Sequence, residues 1–381
     1  MKVQEFLIES PKNPHIEHPE DLIFDGSKAA LNAIDSLING AKTSENVNIK
    51  FDGAPTFITG RINGKFVFTD KAGFMKQQFP STSKEIFSMM YFRKPNDKGR
   101  KEFSKNISLL FSYIEKMIPK NFKGLIHFET LWRNRPTEIE GNFIFQPNIV
   151  QYIIPADSIL GEKVSKSKFG IAIHSYFKNE HQEIADMIRN YDSLGLREVN
   201  GLVVLPSKFE SKIRPNYDII IKLKNISSII NLNKSKIDSF LNRETLSSMK
   251  ITNLGELIKQ YLTNRAGIGE FGAGDVYSFL QWIQSNNKLS EYKIKNVTDY
   301  VTSNKNIASL CFKISDTIAH IKSELFQYYH FQTDFIQAKI EDIEGHEGYV
   351  IFAPSGKIKL VNRPLFKNKN LVSAFKIDPT K

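Results

Sequence analysis

The chain has 381 residues, 41% of them hydrophobic, and carries 52 Lys and Arg against 41 Asp and Glu, a formal net charge of +11. That apolar share can build one large or two medium cores, which excludes a fibrous or disordered chain; the basic balance favours an anionic partner, of which nucleic acid is the commonest. A single cysteine, Cys311, excludes an intrachain disulfide and a cysteine-rich zinc site, and no run of about 18 apolar residues offers a membrane span.

From the N terminus, MKVQEFLIES lacks the continuous apolar stretch of a secretory signal, so the expected setting is a reducing cytoplasm. NPHIEHPEDLIFDG then gathers His15, Glu17, His18, Glu20 and Asp21. Sequence neighbours seldom converge on one metal, whereas Pro-Glu-Asp suits a helix start whose dipole welcomes acidic residues. No metal is assigned there. A helix is predicted over 27–37, ended by Asn39 and Gly40. VNIKFDGAPTFITG and GKFVFTDKAGF alternate apolar residues around Asn63 and Gly64, which predicts a β-hairpin with Lys50 at its start.

SKEIFSMMYFRKPNDKGRKEFSK sets Lys84, Arg93, Lys94, Lys98, Arg100, Lys101 and Lys105 beside Tyr91 and Phe92. Cations among aromatics suit a phosphate backbone with unpaired bases; a solvated helix pair with core aromatics is the other reading. GLIHFETLW, with Glu129, and FGIAIHSYF, with Tyr176 and Phe177, read as strands. From 226 to 335 apolar residues take helical spacing, as in LGELIKQYL and in ASLCFKI, which puts Cys311 in a core. AGIGEFGAG follows a helix and lacks a Lys-Ser or Lys-Thr, so it reads as an interhelical turn. Strand patterns resume at FIQAKI and continue through GYVIF and KIKLV. The expected organisation is an α+β protein with a core in two parts, 1–225 and 336–381, and a helical subdomain, 226–335, inserted between them.

The tetrad Lys50-Phe51-Asp52-Gly53 carries the chemistry. A lysine among apolar strand residues and near other cations loses proton affinity, since burial and like charge both disfavour the ammonium, and so becomes a nucleophile. Lys357 and Lys359, two apart on a strand, point the same way and aim two cations at one phosphate site. Phosphoryl transfer asks for such charge against an in-line nucleophile, and a carboxylate suits Mg²⁺ that leans on substrate phosphates.

The ordered set of K-x-D-G, Lys71 in TDKAGF, Glu129, the aromatics of FGIAIHSYF, E-G-Y-V from Glu347 and K-I-K from Lys357 resembles motifs I, Ia, III, IIIa, IV and V of the covalent nucleotidyltransferases, that is, ATP-dependent DNA ligases, RNA ligases and capping enzymes. The short interval between the last two motifs is closer to phage-type RNA ligases. The N-terminal segment with K-x-D-G-A-P is similar to a group of tailed-phage proteins. The resemblance implies a ligase-type nucleotidyltransferase core of antiparallel sheets, ATP and Mg²⁺ as cofactors, RNA or nicked DNA as partner, and the cytoplasm of a phage-infected bacterium as a setting.

By the same resemblance, Lys50 would attack the α-phosphate to form a lysyl-AMP, with Asp52 and Gly53 completing the nucleotide-binding tetrad. Lys71 would stand for the arginine usual in motif Ia, Glu129 would bind the ribose hydroxyl, and Tyr176 or Phe177 would stack on the base. Glu347 would hold the metal, and Lys357 and Lys359 the phosphates. AMP would pass to a 5′-phosphate and a 3′-hydroxyl would displace it.

Three departures accompany the resemblance. Pro55 stands where ligases carry an arginine after K-x-D-G, and neither Arg61 nor Arg363 has the spacing to replace it. Little chain follows K-I-K, so no OB-fold module is expected there. A second late motif, NGLVVLPS from Asn200 with Lys222 and Lys224 beyond it, has an asparagine where the glutamate belongs, which favours the set at Glu347. The competing expectation is a catalytically inactive, nucleic-acid-binding or virion-associated protein of the same fold.

Overall fold

The computed structural model describes residues 16–181, 186–187, 194–209, 211–332, 336–340 and 343–365, so His15 lies outside the described residues. The protein is α+β, with three sheets in which antiparallel pairing prevails. Its contacts divide it into two units: one built on Phe51–Lys208 and Asp334–His346, the other on Ile16–Lys50, Phe209–Thr333 and Glu347–Lys381.

In chain order, a 3₁₀ helix, Pro19–Asp25, precedes α1 (Ser27–Lys42) and β1 (Val47–Lys50). There follow β2 (Thr56–Ile62), β3 (Lys65–Asp70), α2 (Lys71–Met75), α3 (Ser83–Phe92), α4 (Arg100–Met117) and β4 (Gly124–Trp132). Next come β5 (Thr137–Ile139), β6 (Asn142–Phe145), β7 (Gln151–Pro155), α5 (Ile159–Ser165), β8 (Phe169–Phe177), β9 (Asp186–Met187) and β10 (Leu202–Leu205). Six helices occupy the next stretch: α6 (Tyr217–Phe240), α7 (Arg243–Ser248), α8 (Leu254–Gly267), α9 (Val276–Ser285), α10 (Glu291–Ser303) and α11 (Lys305–His330). The last strands are β11 (Gln337–Ile340), β12 (Ile343–Glu344), β13 (Gly348–Ala353) and β14 (Gly356–Val361).

In the first unit, one sheet runs β10-β8-β4-β2-β3, with β9 on β8, and a second runs β12-β11-β7-β6-β5. β10 lies parallel to β8, the one parallel pair among the described strands. The β2–β3 hairpin turns at Asn63 and Gly64, whose φ angles of 51° and 78° suit the right-handed strand twist. Period-two alternation sorts the first sheet's faces. Phe57, Phe66, Phe68, Ile126, Phe128, Ile171 and Ile173 form one buried cluster with Ile86 and Met90 of α3 and Ile107, Leu110, Phe111 and Ile114 of α4. A capping box fixes the start of α3: the Thr82 hydroxyl accepts from the Glu85 N–H and the Glu85 carboxylate accepts from the Thr82 N–H. On the other face, Ile58, Val67, Leu125 and Phe177 pack with Phe74.

Lys50 stands outside the hairpin where the apolar pattern predicted it. VNIK is a strand of its own, β1, and joins β13 and β14 in the three-stranded sheet of the second unit. Phe51–Pro55 leaves the strand conformation because the Asp52 carboxylate is pulled into hydrogen bonds with 148–150 and Pro55 has no N–H to offer a ladder.

In the second unit, α1 runs past its expected end to Lys42. Gly40 does not stop it. A Cβ there would lie 2.4 Å from Ile351 Cδ1 and 2.9 Å from the Tyr329 hydroxyl, and that hydroxyl donates to the Gly40 carbonyl at 2.7 Å, so the glycine serves close packing. α6 starts at Tyr217, ahead of the expected 226, because Asn216 caps it by accepting from the Ile219 N–H at 3.1 Å. Cys311 is fully buried on α11, as its apolar run required, and burial pushes its thiol up to about 12. The Gly-rich segment Ala266–Gly274 links α8 to α9, with Gly269, Gly272 and Gly274 at positive φ. Among the described residues, no helix is long and apolar enough to cross a membrane.

Candidate active site

The three-stranded sheet explains how distant motifs meet. Lys50 pairs with Gly348, Gly348 with Val361, and Val350 with Lys359. Opposite residues and residues two apart share a face, so Lys50, Lys357 and Lys359 all project from one face of the β1-β13-β14 sheet. The other face is apolar: Val47, Ile49, Tyr349, Ile351, Ile358 and Leu360 are buried, with Tyr349 against Tyr329 and Phe326 of α11. The glycine of E-G-Y-V has a steric cause, since a Cβ on Gly348 would lie 2.2 Å from the Leu360 carbonyl oxygen. Side-chain bulk there would push β14, with its two lysines, away from β13.

Glu347, one residue before β13, accepts a hydrogen bond from Lys50 Nζ although 297 residues separate them. This amends the expected surroundings of Lys50. Besides the Lys359 cation it meets a carboxylate, and its side chain is 34% exposed. Lys359 is partly buried. Burial pushes its ammonium down to about 8, against the pull of Glu17 and with the help of Lys50, then Arg363, Asp21 acting the other way. The Lys50 charge is thus felt at Lys359.

The N-terminal acids are spoken for. The 3₁₀ helix carries Glu20 in a buried pair with Lys322 and Asp21 2.7 Å from Arg363, whose second amino group donates to Thr263 at 2.7 Å. Burial raises Asp21 to about 6 despite Arg363. Arg363 is therefore a structural ion-pair partner. So is Arg61 a structural donor, giving Nε–H to the Pro119 carbonyl at 2.7 Å.

In the other unit, the rest of the tetrad is a holding device. Asp52 Oδ1 accepts from Asn148 Nδ2 at 2.8 Å and Oδ2 from the N–H groups of Ile149 and Val150 at 2.7 and 3.0 Å. Its own N–H donates to the Tyr152 hydroxyl at 2.7 Å. Gly53 donates its N–H to Glu129 Oε2 at 3.0 Å, and a Cβ at 53 would sit 2.5 Å from the Glu129 Cβ. The tetrad's glycine lets the backbone reach that carboxylate.

Around Glu129 the structure brings together residues that the motifs did not single out. Glu129 Oε1 is 3.5 Å from His174 Nε2, and the His174 and His127 rings lie 4.4 Å apart. His127 is held neutral: burial, then the His174 and Lys71 charges, push its imidazole well below the usual histidine range. Lys71, at the start of α2, thus acts on the same cluster as Glu129. His174 arrives there because a register shift between β4 and β8 falls between His127 and Phe128, leaving His174 between the paired residues Ile173 and Ser175. Strict alternation hides such a residue; the signal available was the run of polar His127, Glu129 and His174 in otherwise apolar strands.

Neither expected stacking aromatic joins this cluster. Tyr176 packs toward the α3–α4 face and donates its hydroxyl to the Lys123 carbonyl at 2.6 Å, while Phe177 is buried against Phe74. Lys222 and Lys224 of the alternative late motif lie on α6, where residues two apart do not share a face, and Lys222 pairs with Glu324 at 2.7 Å. Among the described residues no cluster of three or more His, Cys, Asp or Glu is arranged to hold a metal ion.

A family model matches residues 13–375, which makes the chain a member of DUF6267, a family of unknown function. No curated protein and no solved structure matches it.

Proposed function

We propose that this DUF6267 chain is a covalent nucleotidyltransferase of the ATP-dependent ligase type, with Lys50 as the nucleophile and RNA or nicked DNA as the acceptor. The observation that carries the reading is the common face of β1, β13 and β14, where Lys50, Lys357 and Lys359 stand together with Glu347 beside Lys50. Lys50 and K-I-K, far apart in sequence, stand on the same face of one antiparallel sheet, with β13 between their strands.

In the proposed step, Lys50 Nζ attacks the α-phosphorus of ATP, the N–P bond forms, and the bond to the pyrophosphate oxygen breaks. Attack requires the neutral amine, so one proton passes from Lys50 to water as the side chain leaves Glu347, and a second follows once the N–P bond has formed. Lys357 and Lys359 neutralise the departing phosphates. Mg²⁺ would supply charge neutralisation on the phosphates, and Glu347 is the carboxylate on this face that would hold it once Lys50 has turned to substrate. Glu129 and Lys71, to which the resemblance gives ribose and phosphate roles, lie in the other unit. Asp52, whose two oxygens are filled by backbone and Asn148 donors, positions the tetrad and does not bind nucleotide directly.

A second reading, a nucleic-acid-binding protein that keeps the architecture without the chemistry, draws support from Pro55 in the arginine's place and from the Lys50–Glu347 pair. One experiment separates the two. Purified protein is incubated with α-labelled ATP or GTP and Mg²⁺, and the adduct is located by intact mass and peptide mapping. A nucleoside monophosphate on Lys50, lost in Lys50→Ala while the circular dichroism is kept, supports the enzyme; absence of any adduct from folded, unmodified protein selects the binding protein.

A further inference from the structure

The turn between α3 and α4 gathers more positive charge than it neutralises. From Lys84 to Lys105 there are seven cations against Glu85, Asp97 and Glu102, a net of +4. Arg93 is paired with Asp70, and Lys94 is 3.9 Å from Asp97. Of the others, Lys98 and Arg100 line a cleft of about 450 Å³ together with Phe103, Asn106 and Arg133 and the acidic Asp97 and Glu102.

Two guanidiniums lie over one ring: Arg100 is 4.8 Å and Arg133 5.1 Å from the Phe103 centroid. Arg100 is fixed by its Nε–H, which donates to the Met90 carbonyl at 2.6 Å. Arg133 has no hydrogen bond or ion pair among the described residues, though burial lowers its guanidinium's proton affinity. A half-buried guanidinium held by an aromatic ring and left without an anion is arranged to receive one. Phe92, the last residue of α3, lies outside the cleft lining, two residues beyond the Met90 that Arg100 holds, and exposes 70% of its surface next to Arg93 and Lys94.

From these observations we infer that the α3–α4 cleft binds single-stranded nucleic acid, phosphates on Arg100, Arg133 and Lys98 and a base on Phe92. Cations track the backbone and an exposed aromatic offers a stacking platform that every base can use. Paired bases would not be free to stack on Phe92, so a duplex fits less well, and an acidic peptide or lipid headgroup would leave the ring unused. Arg133 follows directly on β4, four residues past Glu129, about 13 Å along an extended chain. A strand held there lies within a few nucleotides of the Glu129 cluster in the same unit. The role as acceptor site rests on the proposed nucleotide transfer; the binding itself does not.

The test uses the full chain without nucleoside triphosphate, so it is independent of adduct formation on Lys50. Fluorescence anisotropy is recorded with labelled oligouridylate and oligothymidylate of about 16 nucleotides, with a duplex of equal length and with phosphatidylserine vesicles. Wild-type protein binds the single strands more tightly than the duplex or vesicles. Arg133→Gln and Phe92→Ala each weaken binding about tenfold, and Arg133→Gln also flattens the salt dependence by about 0.7 in log–log slope. Lys234→Gln, which removes one charge from the exposed face of α6, leaves affinity unchanged. Equal affinity for duplex or vesicles, unaltered binding by both Arg133→Gln and Phe92→Ala, or an equal loss in Lys234→Gln overturns the inference. Neither Arg133 nor Phe92 has a side-chain hydrogen bond among the described residues, so melting curves that match wild type establish that folding is intact.

Discussion

The K-x-D-G tetrad spans two regions that treat charge in opposite ways. At its far end, Asp52 is a buried anion whose oxygens are filled by three donors, and Glu129 receives the Gly53 N–H. At its near end, Lys50 and the partly buried Lys359 share a face of the small sheet, and Lys359 gives up proton affinity to stay there. The first region uses charge to fix a backbone. The second keeps positive charge where burial opposes it.

That contrast can be broken most directly at Asp52. Asp52→Ala leaves Asn148 and the Ile149 and Val150 N–H groups without their acceptor, and we expect a loss of about 3–5 kcal/mol in urea unfolding, since hydrogen bonds to a charged group are worth more than neutral ones. A loss under about 1 kcal/mol would mean that the tetrad is not held as described.

The opposite sign is expected at Lys359. Its folded value of about 8 lies below the ordinary 10.5, so the unfolded chain binds more protons between these values and stability rises with pH across that window. Lys359→Met should therefore stabilise the protein near pH 7, by about 2 kcal/mol, with the advantage shrinking as pH climbs from 8 toward 10.5. The same substitution should weaken triphosphate binding. A variant less stable than wild type at pH 7 would show that the lysine's contacts outweigh its desolvation.

The smallest effect separates the regions by acid. His127 is buried and neutral, near the His174 and Lys71 charges, with the Ser175 hydroxyl 3.4 Å from Nδ1. Its folded value is depressed, so the unfolded state takes up the extra proton below about pH 6.5 and stability falls as pH drops, by up to about 1.4 kcal/mol per unit. His127→Gln should remove one proton from that slope. An unchanged slope would assign the acid sensitivity to other groups.

What could be read in the sequence follows from what each pattern encodes. Alternation gave the β2–β3 hairpin and the two late strands, and the K-x-K spacing gave a common side for Lys357 and Lys359. Tertiary contacts hid the rest. Gly40 looked like a helix stop because its partners, Ile351 and Tyr329, are some 300 residues away. Apolar continuity merged VNIK with the hairpin because nothing local reveals that residues 148–150 pull on Asp52. A strand register shift concealed His174, and the expected aromatics Tyr176 and Phe177 were drawn to the two apolar faces instead.

The contact between Gly53 and Glu129 also bears on inheritance. A side chain at 53 would collide with the Glu129 Cβ, and loss of the carboxylate would orphan the Gly53 N–H. Position 53 is therefore held to glycine whatever acceptor stands at 129, since every residue there except glycine keeps that Cβ, and an alignment of relatives is expected to hold this glycine even where Lys50 had been lost.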